Sequence, residues 1–123
     1  MSAATPKSVL VIVRQPPYGG SLARSSLEFA LSAATFDQPV SVLFMGDGLL
    51  QLIPEQDSAG LGVKNIAKLI KSFPLYELNN LYVDETALLQ YGLTPQSLPQ
   101  QLQVVDNTAI QQLFCQHDHL LSF

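Results

Sequence analysis

The run "CQHDH", residues 115–119, brings the only cysteine and both histidines of the chain together around an aspartate, a donor set that invites a metal. On a strand, Cys115, His117 and His119 would share one side at ~6.8 Å steps, leaving the outer pair ~13–14 Å apart. One zinc holding its ligands at ~2.0–2.3 Å cannot span that, and a helix-to-strand break expected within the run worsens the geometry. Cys115 is no better placed as a nucleophile. It falls late in a helical stretch, where the negative end of the dipole disfavours a thiolate, and no Lys or Arg is near it in sequence. Beside Ile110, Leu113 and Phe114 it reads as a small packing residue. No G-x-S-x-G elbow exists to support a serine nucleophile.

Two glycine-bearing junctions could hold an anion. "PPYGGS" (16–21) has neither the G-x-G-x-x-G spacing of a dinucleotide loop nor the lysine of a P-loop, so a tight turn with Ser21 capping the next helix is the simpler reading. In "FMGDG" (44–48), Asp47 has no second carboxylate at a motif spacing. The glycines there permit a sharp exit from a strand, and Asp47 is expected to cap the following turn. Lys64, Lys68 and Lys71 recur at helical spacing as a solvated stripe. Asp84 is different: it ends an apolar strand and begins a helix. A cysteine there would have its thiolate stabilised by the helix N-terminus, as a sulfur carrier needs; a carboxylate is a good N-cap and cannot carry a persulfide.

These positions imply the elements that hold them. "SVLVIV" (8–13) is a continuous β-branched run, the pattern of a strand buried on both faces, and "PVSVLFM" (39–45) reads as a second buried strand. Between them Leu27, Ala30, Leu31 and Ala34 recur at i, i+3, i+4, i+7, with Glu28 and Ser32 outside the stripe. A short helical turn follows Gly48 and stops at Pro54, and "VKNIAKLIKSF" (63–73) reads as an amphipathic helix. "NLYV" (80–83) is a third strand, 84–91 a helix with Gly92 as its stop, "LQVVD" a fourth strand, "NTAIQQLFCQ" a helix and "HLLSF" a closing strand. This alternation predicts an α/β fold, a three-layer flavodoxin-like sandwich whose mostly parallel sheet of about five strands has helices on both faces. Loops 14–21, 46–48, 84–86 and 106–108 then share the carboxyl edge of the sheet, where ligands of such folds bind.

The 123 residues make one domain, spanning 1–123, with 1–7 expected as a flexible N-terminus. Charged residues are 13% of the chain and hydrophobic ones 47%, about half the ~25% charge usual in soluble domains. So few charges favour an obligate oligomer, whose interfaces resemble an interior cut in half. The net charge is −4 and neither Lys nor Arg follows Lys71, a poor basis for binding nucleic acid. One cysteine excludes an internal disulfide and fits a reducing cytosol. The N-terminal apolar run is too short for a secretory h-region or a membrane span, so a cytoplasmic protein is expected.

Three motifs together resemble a known family: Pro17-Tyr18-Gly19 before the first helix, Phe36-Asp37-Gln38, and Phe44-x-Gly46-Asp47-Gly48-x-x-Gln51-Leu52. With "LYELNNLYVDETALLQYGLTPQSL" and the closing "HDHLLSF", they make the chain from Ser8 to Phe123 similar to the TusC/DsrF family of DsrE-like sulfur-relay proteins. The resemblance implies a subunit of a TusBCD-type heterohexamer, a dimer of heterotrimers. Its partners would be TusB-like and TusD-like subunits and, through the complex, TusA-like and TusE-like carriers that hand on persulfide sulfur for 2-thiolation of the tRNA wobble uridine. Active relatives carry cysteine where this chain has Asp84, so a non-catalytic subunit is implied, with no cofactor and no metal. The apolar turn after strand two is then expected to serve packing or subunit contact, through Tyr18, Asp47, Leu49, Leu50 and Leu52. Two alternatives stay open: a DsrF-like subunit of a DsrEFH complex in sulfur oxidation, and a stand-alone flavin or nucleotide binder using loops 14–21 and 46–48. An Asp47–Asp84 carboxylate pair in an enzyme is a remoter reading.

Overall fold

The computed structural model describes residues 7–15, 22–36, 39–52, 72–76, 78, 80–94 and 102–123. Outside these lie residues 16–21, with Tyr18 and Ser21, Asp37 and Gln38, residues 53–62 and the lysine-bearing stretch 63–71.

Five strands form one parallel sheet: β1 (Val9–Val13), β2 (Val40–Phe44), β3 (Leu81–Asp84), β4 (Gln103–Val105) and β5 (His119–Ser122), in the order β4-β3-β2-β1-β5. Every residue of β1 and β2 is buried, nine of them apolar and one, Ser41, polar, as strands covered on both faces of a sheet require. Each apolar side chain among them contributes roughly 1.5–3 kcal/mol on leaving water. Three helices are described: α1 (Leu22–Thr35), α2 (Glu85–Gln90) and α3 (Asn107–Gln116). Two 3-10 helices, Gly46–Leu52 and Phe73–Tyr76, belong to the connection between β2 and β3. The layered α/β sandwich expected from the alternation is therefore present. Its strand order differs from the 2-1-3-4-5 of flavodoxin itself.

The strand order divides the helices unequally. From β1 to β2, β3 and β4 the chain steps one strand at a time in one direction, and right-handed crossovers put the described helices of these connections on the same face. There α1, both 3-10 helices and α2 pack on Val9, Val11, Val13, Val42, Phe44, Leu81 and Val83. The return from β4 to β5 passes to the far side of β1, so α3 lies on the opposite face, where Ile110 and Leu113 cover Leu10, Ile12, Leu43 and Val105. In α1 the buried positions are Ser26, Leu27, Ala30 and Ala33, with Leu31 and Ala34 half-buried, a stripe turned slightly from the expected one.

At the amino edge, β5 is locked to β1 by a reciprocal clamp. The Ser8 amide and hydroxyl donate to Asp118 Oδ2 at 2.9 and 3.2 Å, and the Asp118 amide donates to Ser8 Oγ at 3.0 Å. The Ser8 amide is the main cause that holds the Asp118 carboxyl below its ordinary range, burial opposing it and Ser8's hydroxyl and Lys7 reinforcing it. A carboxyl lowered in the folded state stabilises above its unfolded pKa and loses that contribution as pH falls through the folded value. Asp118→Asn is therefore expected to lower the melting temperature at pH 7, with the gap to the unaltered protein closing below about pH 4. A gap that is constant across a melting series from pH 7 to 3 would contradict the clamp.

Candidate functional site

At the carboxyl edge the chain leaves β2 through Gly46, whose φ of +52° lies in the left-handed region that a side chain disfavours. Gly48 then passes directly over the end of β1. A Cβ at this position would stand 2.0 Å from the Val13 carbonyl oxygen and 2.7 Å from its carbon, so only glycine fits without moving backbone. The Gly48 amide is already bonded to the Met45 carbonyl at 2.9 Å. This close approach drives Leu49 and Leu52 into the core, where they are 0% and 1% exposed. Of the two roles expected for these leucines, packing is the one they fill; buried side chains offer no surface to another subunit. Leu50 is half-buried and Asp47 exposed, so these two remain at the surface of the turn.

Asp47 does not cap the turn that follows it, as its sequence position suggests. Its Oδ1 instead accepts the hydroxyl of Tyr91, 44 residues later. Tyr91 is held there by the end of α2, where the Gly92 amide donates to Leu89 and the Leu93 amide to Leu88, with Gly92 at φ +63°. That is the Schellman arrangement, and it makes Gly92 the helix stop read from the sequence. The local cap lost to Asp47 is replaced by a bond joining the β2 exit to the β3–α2 unit.

Asp84 ends β3 and is 8% exposed. Its backbone is extended (φ −70°, ψ 122°) and its Oδ1 accepts the Thr86 amide at 3.1 Å, the geometry of an N-cap. Asp106 repeats the device on the adjacent strand, taking the Ala109 amide at 2.9 Å at the start of α3. Both carboxylates are committed to helix starts, which is the reading made of Asp84 from the sequence. Asp106 went unremarked there, although Asp before "NTA" is the same signal.

Cys115 is exposed, which corrects its reading as a packing residue: Ile110 and Leu113 take the inward positions of α3 and the thiol falls outside them. It also stands far from Asp84. Because α3 leaves the carboxyl edge and returns toward the start of β5, its ten residues carry Cys115 ~15 Å along the helix, to the opposite edge of the sheet. His117, at the C-cap, is engaged by both ring nitrogens. Nδ1 lies 2.7 Å from the Leu113 carbonyl oxygen and Nε2 2.9 Å from the Ser41 hydroxyl. A carbonyl only accepts, so Nδ1 donates to it, while Nε2 shares a hydrogen bond with the hydroxyl of Ser41, a buried side chain on the central strand. Nothing in the sequence run marked Ser41, because the pair closes across 76 residues. Among the described residues no three His, Cys, Asp or Glu side chains are grouped to hold a metal, and no helix is long and apolar enough to cross a membrane.

The comparisons with known proteins agree with this geometry. The profile of the DsrE/DsrF-like family matches residues 7–123. The chain is 34% identical to a protein named TusC homolog from Pseudomonas aeruginosa over 116 residues, 94% of this chain and 98% of that protein. It is 33% identical over 131 residues to the intracellular sulfur oxidation protein DsrF of Allochromatium vinosum, covering 95% of this chain and 96% of that one. Among solved structures it is similar to the ychN protein of E. coli, with a TM-score of 0.76 at 16% identity over 97% of this chain and 100% of that one, a likeness of fold.

The two glycines of the β2 exit should separate cleanly in equilibrium urea denaturation. Gly48→Ala forces a Cβ onto fixed backbone and is expected to cost about 3 kcal/mol or more. Gly46→Ala meets nothing within 4 Å and pays only the left-handed conformation, about 1–2 kcal/mol. Equal losses would mean that the turn does not lie on β1.

Proposed function

The chain belongs to the DsrE/DsrF-like family, and from that premise we propose that it is a non-catalytic subunit of a heteromeric sulfur-relay complex. Its partners would be TusB-like and TusD-like chains in the cytoplasm, assembled as a dimer of heterotrimers that receives persulfide sulfur from a TusA-like carrier and delivers it to a TusE-like one. The observation that carries the reading is the β3–α2 junction. Persulfide transfer needs a thiolate to attack the outer sulfur of a donor persulfide and to hold it until the next thiolate arrives. Asp84 has no sulfur to offer, and its carboxylate is occupied by the Thr86 amide. Cys115 cannot take its place from the opposite edge. The low charge content supports a chain that spends much of its surface on other subunits.

A DsrF-like role in sulfur oxidation remains the second reading, because the named DsrF relative is as similar as the TusC homologs, 33% against 34%. Deleting the gene separates them: loss of 2-thiolated wobble uridine marks the first, and loss of sulfur oxidation with normal tRNA the second. A stand-alone nucleotide binder finds less support, since the Gly48 amide and the leucines beside it are spent on packing.

The deciding experiment is co-expression with the two neighbouring genes, with the mass measured by light scattering and radiolabelled persulfide traced to its chain. A stable assembly of three different chains, labelled on another subunit and unaffected by Cys115→Ser, is the expected result. Label on Cys115, lost in that variant while the assembly persists, would overturn the non-catalytic role. Within the same assembly Leu50→Asp is expected to weaken association at least tenfold with the melting temperature of the isolated chain nearly unchanged, whereas Leu49→Asp should prevent folding.

A further inference from the structure

Strand β5 is the outer edge of the sheet, and all four of its residues are exposed, with Leu120 at 44% and Leu121 at 38%. Its ladder to β1 fixes which backbone groups remain open. The amides of His119 and Phe123 donate to Ser8 and Ile12, and the Phe123 carbonyl accepts from Arg14, so residues 119, 121 and 123 point their backbone groups inward. Leu120 and Ser122 therefore turn theirs outward from the sheet. Edge strands are usually blunted by lysine, proline or a bulge. His119–Phe123 contains no Lys, Arg, Asp, Glu, Pro or Gly, and among the described residues no element flanks it. On the α1 face, Leu121 is aligned with Val11, and Phe29 and Phe123 meet nearby with tilted rings, their centroids 6.3 Å apart.

We propose that this edge pairs with the β5 edge of a second copy of the chain, antiparallel about a two-fold axis through Leu121. The register is self-complementary. With Leu121 opposite Leu121 of the other copy, Leu120 lies opposite Ser122 and His119 opposite Phe123. The outward groups of Leu120 and Ser122 then form two hydrogen-bonded pairs, about four bonds in all, and the central leucines face each other at the closer, non-hydrogen-bonded spacing of ~4.5 Å. The axis also brings the two Phe29–Leu121–Phe123 patches side by side on one face. The strand's side chains include no Lys, Arg, Asp or Glu, so two chains of net charge −4 can meet here without placing like side-chain charges opposite each other; the Asp118 carboxylate just before it is turned back onto Ser8. A contact of one short strand and one apolar patch falls below the ~1,200 Å² of stable complexes, so the isolated chain should dimerise weakly, at micromolar concentrations or above. The pairing is independent of the sulfur-relay reading: it concerns like chains, and needs no thiol.

Sedimentation velocity of the full chain across a concentration series, with disulfide trapping, tests it. Ser122→Pro removes an amide that points off the sheet and leaves the β1 ladder intact, so it should abolish dimerisation while the melting temperature stays within a few degrees. In a Cys115→Ser background, Leu121→Cys should cross-link two copies on mild oxidation, since Cα atoms ~4.5 Å apart suit a disulfide. Leu120→Cys, displaced by two residues from its own copy at roughly 8 Å, should cross-link at least tenfold more slowly. Equal cross-linking at both positions, or a dimer that survives Ser122→Pro, would overturn the register. No cross-link at Leu121 would overturn the pairing of like chains altogether, including the case in which a different chain occupies the edge.

Discussion

The parallel pair of β1 and β2 sets the conditions for everything around it. All ten of its residues are buried, so neither face can be left to water and a layer must form on each side. The chain must also leave β2 without uncovering the end of β1. It does so by laying the peptide of Gly48 on the Val13 carbonyl, closer than any side chain would permit. From that approach follow the burial of Leu49 and Leu52, the outward position of Asp47 and its bond to Tyr91. The "GDG" signature is thus a steric solution to closing the core, and its carboxylate serves to tie two strand exits together.

Right-handed crossovers decide what each face receives. Three successive steps in one direction load one face with α1, the 3-10 helices and α2, while α3 serves the other on the return to β5. The return leaves β5 as an edge strand beside the fully buried β1. A sequence with apolar residues on a strand exposed at the edge and 13% charge overall has little with which to blunt that edge. The asymmetry of layers and the sparse charge are consistent with a chain that completes its surface with other chains.

The same topology separates the groups that could have done sulfur chemistry together. Strand ends of a parallel sheet share one edge, so Asp84 and Asp106 lie there, each fixed by an amide of the helix it starts. The helix from Asp106 travels away from that edge, and the thiol of Cys115 arrives at the other. His117 next to it is engaged by Ser41 and the Leu113 carbonyl, one partner at each ring nitrogen. Capping accounts for Asp84 and Asp106, and a bond into the core for His117.

Strand identity, the α/β class and the ends of α2 and α3 were legible in the residues themselves, because they depend on local quantities. Continuous apolar runs give buried strands, Gly92 gives a left-handed stop and Asp84 gives a cap, each within a few residues of its cause. The family resemblance rests on the same ordered motifs. What the chain order could not show is any relation that closes over a long separation. The strand order, and with it the opposite edges of Asp84 and Cys115, depends on where β5 returns. The partners of Asp47 and Ser41 lie 44 and 76 residues away. The exposure of Cys115 depends on the small rotation of α3 on the sheet, which a helical pattern with several apolar residues leaves undetermined. Sequence patterns state which residues want a partner nearby; only packing in three dimensions decides which partner arrives.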